Sequence, residues 1–133
     1  MTPFPLKIVT PDGLIYDGEA EEVVVRTVSG DVAILARHLN FVAPLGMGRA
    51  LIVANGLRRS AACIGGMISV VNGEVTLVPT TFEWADQIDV ERAERAQQTA
   101  EARIKTSESN TDIRLAEAKL RRALVRKSVA SYK

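Results

Sequence analysis

Residues 72–93 read Asn72-Gly-Glu-Val-Thr-Leu-Val-Pro-Thr-Thr-Phe-Glu-Trp-Ala-Asp-Gln-Ile-Asp-Val-Glu-Arg-Ala93, and the chain changes character inside them. Asn72-Gly73 suits the left-handed positions of a tight hairpin turn. It separates Met67–Val71 from Glu74–Val78, two short apolar runs whose β-branched residues fit a pleated surface. All nine glycines and all five prolines lie at or before Pro79. From about Asp89 the apolar period lengthens from two to near 3.6, and Val90, Ala93, Gln97, Ala100 and Ile104 fall on one stripe. Asp89 is placed to cap the first free amides, with Glu91 favourable to the helix dipole.

Upstream, the same turn chemistry recurs. Thr10-Pro-Asp-Gly13 divides Leu6–Thr10 from Leu14–Tyr16, which runs into Asp17-Gly18, and Glu22–Val28 is dominated by β-branched residues. Asn55-Gly56 joins Ala50–Ala54 to Leu57–Ile64 as a second hairpin. Some eight to ten strands predict a small antiparallel sandwich or flattened barrel. Downstream, Ser107–Thr111 reads as a link, Ser109 and Asp112 as a capping box, and Ile113, Ala116, Leu120, Ala123 and Leu124 as a second helical stripe. Two helices of about 27–30 Å, joined by a short link, predict an antiparallel pair. The fold class is therefore α+β, an antiparallel β-sandwich over residues 1–86 followed by a two-helix hairpin over 87–133. Trp84, beside Phe82, is expected to pack the first helix onto the sheet.

The net charge of +1 over 133 residues hides a division. Residues 1–86 carry six basic and nine acidic side chains, residues 87–133 eleven and seven. From Arg114 onward seven cations face Glu117 alone, so the second helix is drawn to acidic surfaces or phosphates. The helical seam is rich in alanine, which buries little apolar area and holds weakly. One cysteine, Cys63, excludes an internal disulfide and thiolate metal clusters, and one histidine, His38, leaves little for a histidine-based site. No metal site and no catalytic residues are expected, because no acid, base and nucleophile converge in the pattern. With neither a leader pattern nor a membrane-length apolar run, the expected location is the cytosol or a cytosolic face.

Several segments together carry a resemblance. Val9-Thr-Pro-Asp-Gly13, Ser29-Gly-Asp-Val-Ala-Ile-Leu35 followed by His38, Phe41-Val-Ala-Pro-Leu45, the pair Gly65-Gly66, and Ile88-Asp-Val-Glu-Arg-Ala93 occur in the order and spacing of the epsilon subunit of F-type ATP synthases. The sequence resembles the bacterial form with a full C-terminal hairpin, from about Leu6 to Ala130. The resemblance implies a ten-stranded sandwich with a helical hairpin, in a non-catalytic rotor subunit of the central stalk. It implies docking on the gamma subunit and the c-ring, peripheral placement at the cytoplasmic face of the bacterial plasma membrane, and a switch in the hairpin. Folded down, the hairpin permits ATP hydrolysis; extended into the alpha/beta hexamer, it inhibits it.

The resemblance also implies site residues. No cofactor is required, but ATP is implied as a regulatory ligand held by Glu83, Ile88, Asp89, Arg92, Ala93, Arg122 and Arg126. Where nucleotide-binding members have a further arginine in the first helix, this chain has Thr99, flanked by Arg95 and Arg103. Asp31 and His38 match positions near the c-ring and gamma. The cationic set Arg114, Lys119, Arg121 and Arg122 is implied to meet the acidic partner of the extended arm. The family usually has glycine at Ala33 and Pro-Gly at Ala36-Arg37.

Other readings stay open on the residues alone. Capping suffices to explain Asp89, and a solvated helix face suffices for Arg92. A free-standing ATP-sensing or interaction module would show the same nucleotide motif without an inhibitory role. Nucleic acid is not an expected partner, since the basic helix has no aromatic stacking platform.

Overall fold

The computed structural model describes residues 1–133, and it is a sandwich of two five-stranded sheets followed by two helices. The strands are β1 Phe4–Thr10, β2 Gly13–Ala20, β3 Glu22–Thr27, β4 Gly30–Ile34, β5 Phe41–Pro44, β6 Met47–Ala54, β7 Leu57–Ile64, β8 Met67–Val71, β9 Glu74–Val78 and β10 Thr81–Trp84. One sheet runs β2-β1-β9-β8-β5 and the other β10-β7-β6-β3-β4. Every pairing is antiparallel except β1 with β9, which is parallel. That pairing places the chain's first strand inside the first sheet, between β2 and β9.

The expected period of two is carried out in the packing. Phe4, Leu6, Ile8 and Thr10 of β1 are buried, as are Val23 and Val25 of β3, Ile68 and Val70 of β8, and Val75 and Leu77 of β9. Both Asn-Gly turns form, with Asn55 and Asn72 in the left-handed region at φ 53° and 49°. β2 continues in regular register through Asp17-Gly18 to Ala20, where the turn residues predict a break, and the one register shift on this strand falls at Ile15, opposite Ile8/Val9. Gly66 has φ +91°, and a Cβ there would meet the Val78 carbonyl oxygen at 2.0 Å. Arg37 adopts φ 64°, so the loop before His38 keeps a left-handed residue where the resembling family has glycine.

The helices are α1 Val90–Thr106 and α2 Asn110–Ala130. Asp89 caps α1 through its side chain, which accepts from the Arg92 amide at 3.0 Å. The link is shorter than Ser107–Thr111, because α2 starts at Asn110 and absorbs Asn110-Thr111 as its first turn. Ser109 caps α2 by accepting from the Asp112 amide, but the reciprocal half of the capping box is absent. The Asp112 carboxylate turns instead to Arg103 of α1 at 3.3 Å and to the Ser107 hydroxyl. Ala93, Ala100, Ala116 and Ala123 are buried along the seam, whereas Val90 and Leu124, placed on the same stripes by spacing, are 40% and 43% exposed.

Trp84 corrects an expectation. It lies edge-on to Phe82, ring centroids 5.0 Å apart, inside the sandwich core rather than against α1. The register of β10 explains this, since Phe82 and Trp84 pair with Cys63 and Ala61 on the inner face of β7. The outward-facing Ala62 instead joins Ala85, Ile88, Val129 and Ala130 in a separate small cluster. The end of α2 therefore docks the hairpin.

Candidate functional site

Three elements meet where the hairpin lies on the second sheet: the outer face of β10, the start of α1 and the last turns of α2. Glu83 alternates outward between Phe82 and Trp84, and Arg126 Nε donates to its Oε1 at 2.7 Å. The next residue, Lys127 of α2, pairs with Glu94 of α1 and donates to Gln97 Oε1 at 2.7 Å. The Lys127 ammonium, by hydrogen bond and then by charge, holds the Glu94 carboxyl below the usual carboxylate range. Beyond the end of α2, the Arg49 guanidinium lies 4.1 Å from the centre of the Tyr132 ring.

Beneath these contacts is a cleft of about 640 Å³. It brings together Glu83, Asp89, Arg92, Ala93 and Arg126, five of the seven residues implied as nucleotide contacts. The other two lie elsewhere. Ile88 is 8% exposed and belongs to the docking cluster, and Arg122 faces a neighbouring cleft between α1 and α2. Sequence reasoning missed Thr10, Asp12 and Gln87, which also line the first cleft. The turn Thr10-Pro-Asp-Gly13 was legible as a turn, but nothing local marks it as facing the hairpin.

The neighbouring cleft, also about 640 Å³, is cationic. Arg103, Lys119, Arg122 and Arg126 line it together with Thr99 and the single carboxylate Asp112. Of the two arginines flanking Thr99, Arg103 reaches this cleft and Arg95 does not. Guanidiniums from both helices converge here only while the hairpin is closed, a geometry suited to phosphate oxygens. Arg114, Lys119, Arg121 and Arg122 make no ion pair, and the first three are exposed.

Two further surfaces lie on the sandwich. Asp31 pairs with Arg26 at 2.5 Å, and that hydrogen bond holds its carboxyl below the ordinary value. His38 Nδ1 lies 2.8 Å from the Leu39 carbonyl oxygen, and its ring meets Phe41 edge-on with centroids 5.9 Å apart. On the outer face of the first sheet, Pro44, Met67 and Val78 are in register across three strands. Val42 and Val71 flank them at 64% and 47% exposure, making an apolar patch. No helix is long and apolar enough to cross a membrane.

A β-sandwich carrying a packed helical hairpin, with cationic clefts at the junction, defines a two-part architecture. Residues 3–85 match the family model of the ATP synthase delta/epsilon chain β-sandwich domain, and residues 86–131 that of its long alpha-helix domain. The chain belongs to the ATP synthase delta/epsilon chain family. It is 40% identical over 134 residues to the ATP synthase epsilon chain of Ruminococcus albus, covering 100% of both chains. It is 43% identical over 125 residues to that of Bacillus velezensis, covering 94% of this chain and 95% of the relative. In fold it is similar to a chain of the Euglena gracilis mitochondrial ATP synthase OSCP/F1/c-ring structure, with a TM-score of 0.85 at 20% identity. That match covers 100% of this chain and 83% of the other.

Proposed function

We propose that this chain is the non-catalytic central-stalk subunit of an F-type ATP synthase, joining gamma to the c-ring and inhibiting ATP hydrolysis through its hairpin. The observation that carries the regulatory reading is how lightly the hairpin is fastened. A buried cluster of five small and medium apolar residues, a single ion pair and the Arg49–Tyr132 contact join it to the sandwich, while an alanine seam joins its two helices. A rod held this way can leave the sandwich without unfolding it, because the sandwich core is separate. The unpaired cations of α2 would then be free to meet an acidic surface of the alpha/beta hexamer.

The sandwich supplies the docked part of this reading. Its apolar patch around Met67 and Val78 fits gamma, and the start of β4 bearing Asp31 together with the loop bearing His38 fits the c-ring. The complex would place the chain peripherally at the cytoplasmic face of a bacterial plasma membrane.

ATP is the ligand that fits the junction. Arg92 and Arg126 face one cleft and Arg122 with Arg126 the next, so a triphosphate spanning both would bridge α1 and α2. A ligand that binds only the closed form stabilises it by linkage. Glu83 would share Arg126 with the phosphates, and Asp89 would cap α1 while lining the cleft.

Deleting the residues after Asp86 and measuring the assembled complex tests the reading. Co-purification with gamma and the c-ring should survive, and ATP hydrolysis should rise. Loss of co-purification would sink the docking role, and unchanged hydrolysis the inhibitory one.

A further inference from the structure

A larger cleft, of about 930 Å³, opens on the other side of Arg126, between α2 and the second sheet. Leu45 and Met47 of the sandwich and Leu124 of α2 give it apolar surface, while Arg26, Arg121, Arg122 and Arg126 supply its cations. No carboxylate lines it. Arg26 and Arg126 are each answered by one carboxylate, Asp31 and Glu83, but Arg121 and Arg122 by none. Thr81 Oγ1 is buried without a hydrogen-bond partner at the boundary with the cleft below α1. Converging guanidiniums have only donors to offer, and an orphaned hydroxyl leaves a further donor unmet.

We propose that this cleft binds a phosphate-bearing anion which bridges α2 and the sandwich and holds the hairpin closed. Phosphate oxygens accept from several guanidinium forks at once, and their charge relieves the mutual repulsion of the cations. The cleft is of a size that takes small ligands. Asp89 and Arg92 do not line it, so it is distinct from the cleft below α1. Arg26 and Arg121 line this cleft and neither of the other two. The proposal rests on the closed hairpin and shares Arg122 and Arg126 with the ATP reading, whereas Arg26 and Arg121 belong to it alone.

The test uses the full chain at physiological ionic strength, with inorganic pyrophosphate in a calorimetric titration and phosphatidylglycerol vesicles in a sedimentation assay. Binding of pyrophosphate assigns a free phosphate ligand; binding of vesicles without pyrophosphate assigns a lipid headgroup. In either arm the double substitution Arg26→Gln/Arg121→Gln should weaken binding by about tenfold or more, and Arg95→Gln, an exposed cation that lines none of the three clefts, should leave it unchanged. Should the double variant fail to fold, Arg121→Gln alone repeats the comparison at an exposed position with no partner. Absence of binding in both arms would overturn the proposal. So would a loss that follows Arg92→Ala and spares the Arg26 and Arg121 variants.

Discussion

Arg126 Nε donates to Glu83 Oε1 across 2.7 Å, and this is the only ion pair between the helical hairpin and the sandwich. Its two side chains are 27% and 37% exposed, so solvent screens part of the attraction. Glu83→Gln should loosen the hairpin by about 0.5–1 kcal/mol. Amide exchange along the last turns of α2 should then rise by about two- to fivefold, with β1 and β9 unchanged.

The alanine seam predicts a steric response. Ala123 is 1% exposed, and Ala123→Leu would insert three carbons where two helices nearly touch. Overpacking of this kind costs about 1–3 kcal/mol. Exchange protection should fall across both helices while the sandwich melts as before.

Two glycines separate backbone strain from steric block. Gly56 has φ +74° with nothing near its missing Cβ, so Gly56→Ala should cost only about 1 kcal/mol. Gly66→Ala would drive a Cβ onto Val78 and Pro79 and should destabilise the sandwich by more than about 3 kcal/mol. Thermal melts of the two variants measure the difference.

The strands and their turns were legible because each rests on local chemistry: Asn55-Gly56 and Asn72-Gly73 adopt positive φ, and the β-branched runs alternate inward and outward. Asp89 was legible as a cap for the same reason. What was not legible depends on contacts distant in sequence. Trp84 was expected against α1, but the register of β10 on β7 turns it into the core. Asp112 was expected to complete a capping box, but Arg103 across the link takes its carboxylate. At the site, five of the residues implied by the resemblance, Glu83, Asp89, Arg92, Ala93 and Arg126, line one cleft, and Ile88 falls into the docking cluster because its apolar side chain finds Val129 there.

Glu94 predicts a direction with pH. Its carboxyl is held below the ordinary value by Lys127 in the folded state, so its contribution is present above the unfolded pKa and lost as pH falls through the folded one. The clamp between α1 and α2 should be indifferent to pH from about 5 to 8 and weaken below about 4. Helical circular dichroism against pH should show this, and Lys127→Gln should flatten that part of the acid transition.

Cys63 offers a check on the core. Burial pushes its thiol up to about 12, so a thiolate scarcely forms near neutrality. Alkylation by iodoacetamide at pH 8 should fail on the native protein and proceed in denaturant, as read by mass spectrometry.

The central claim is that the closed hairpin releases ATP hydrolysis and the departed hairpin restrains it. Replacing Glu83 and Arg126 with cysteines and joining them by a short bis-maleimide would pin α2 to β10 in the assembled complex, with the buried Cys63 silent. The account predicts that the pinned complex hydrolyses ATP as fast as one lacking the residues after Asp86, and faster than the same variant left unlinked. Equal hydrolysis by the pinned and unlinked forms, both at the rate of the intact complex, would contradict it.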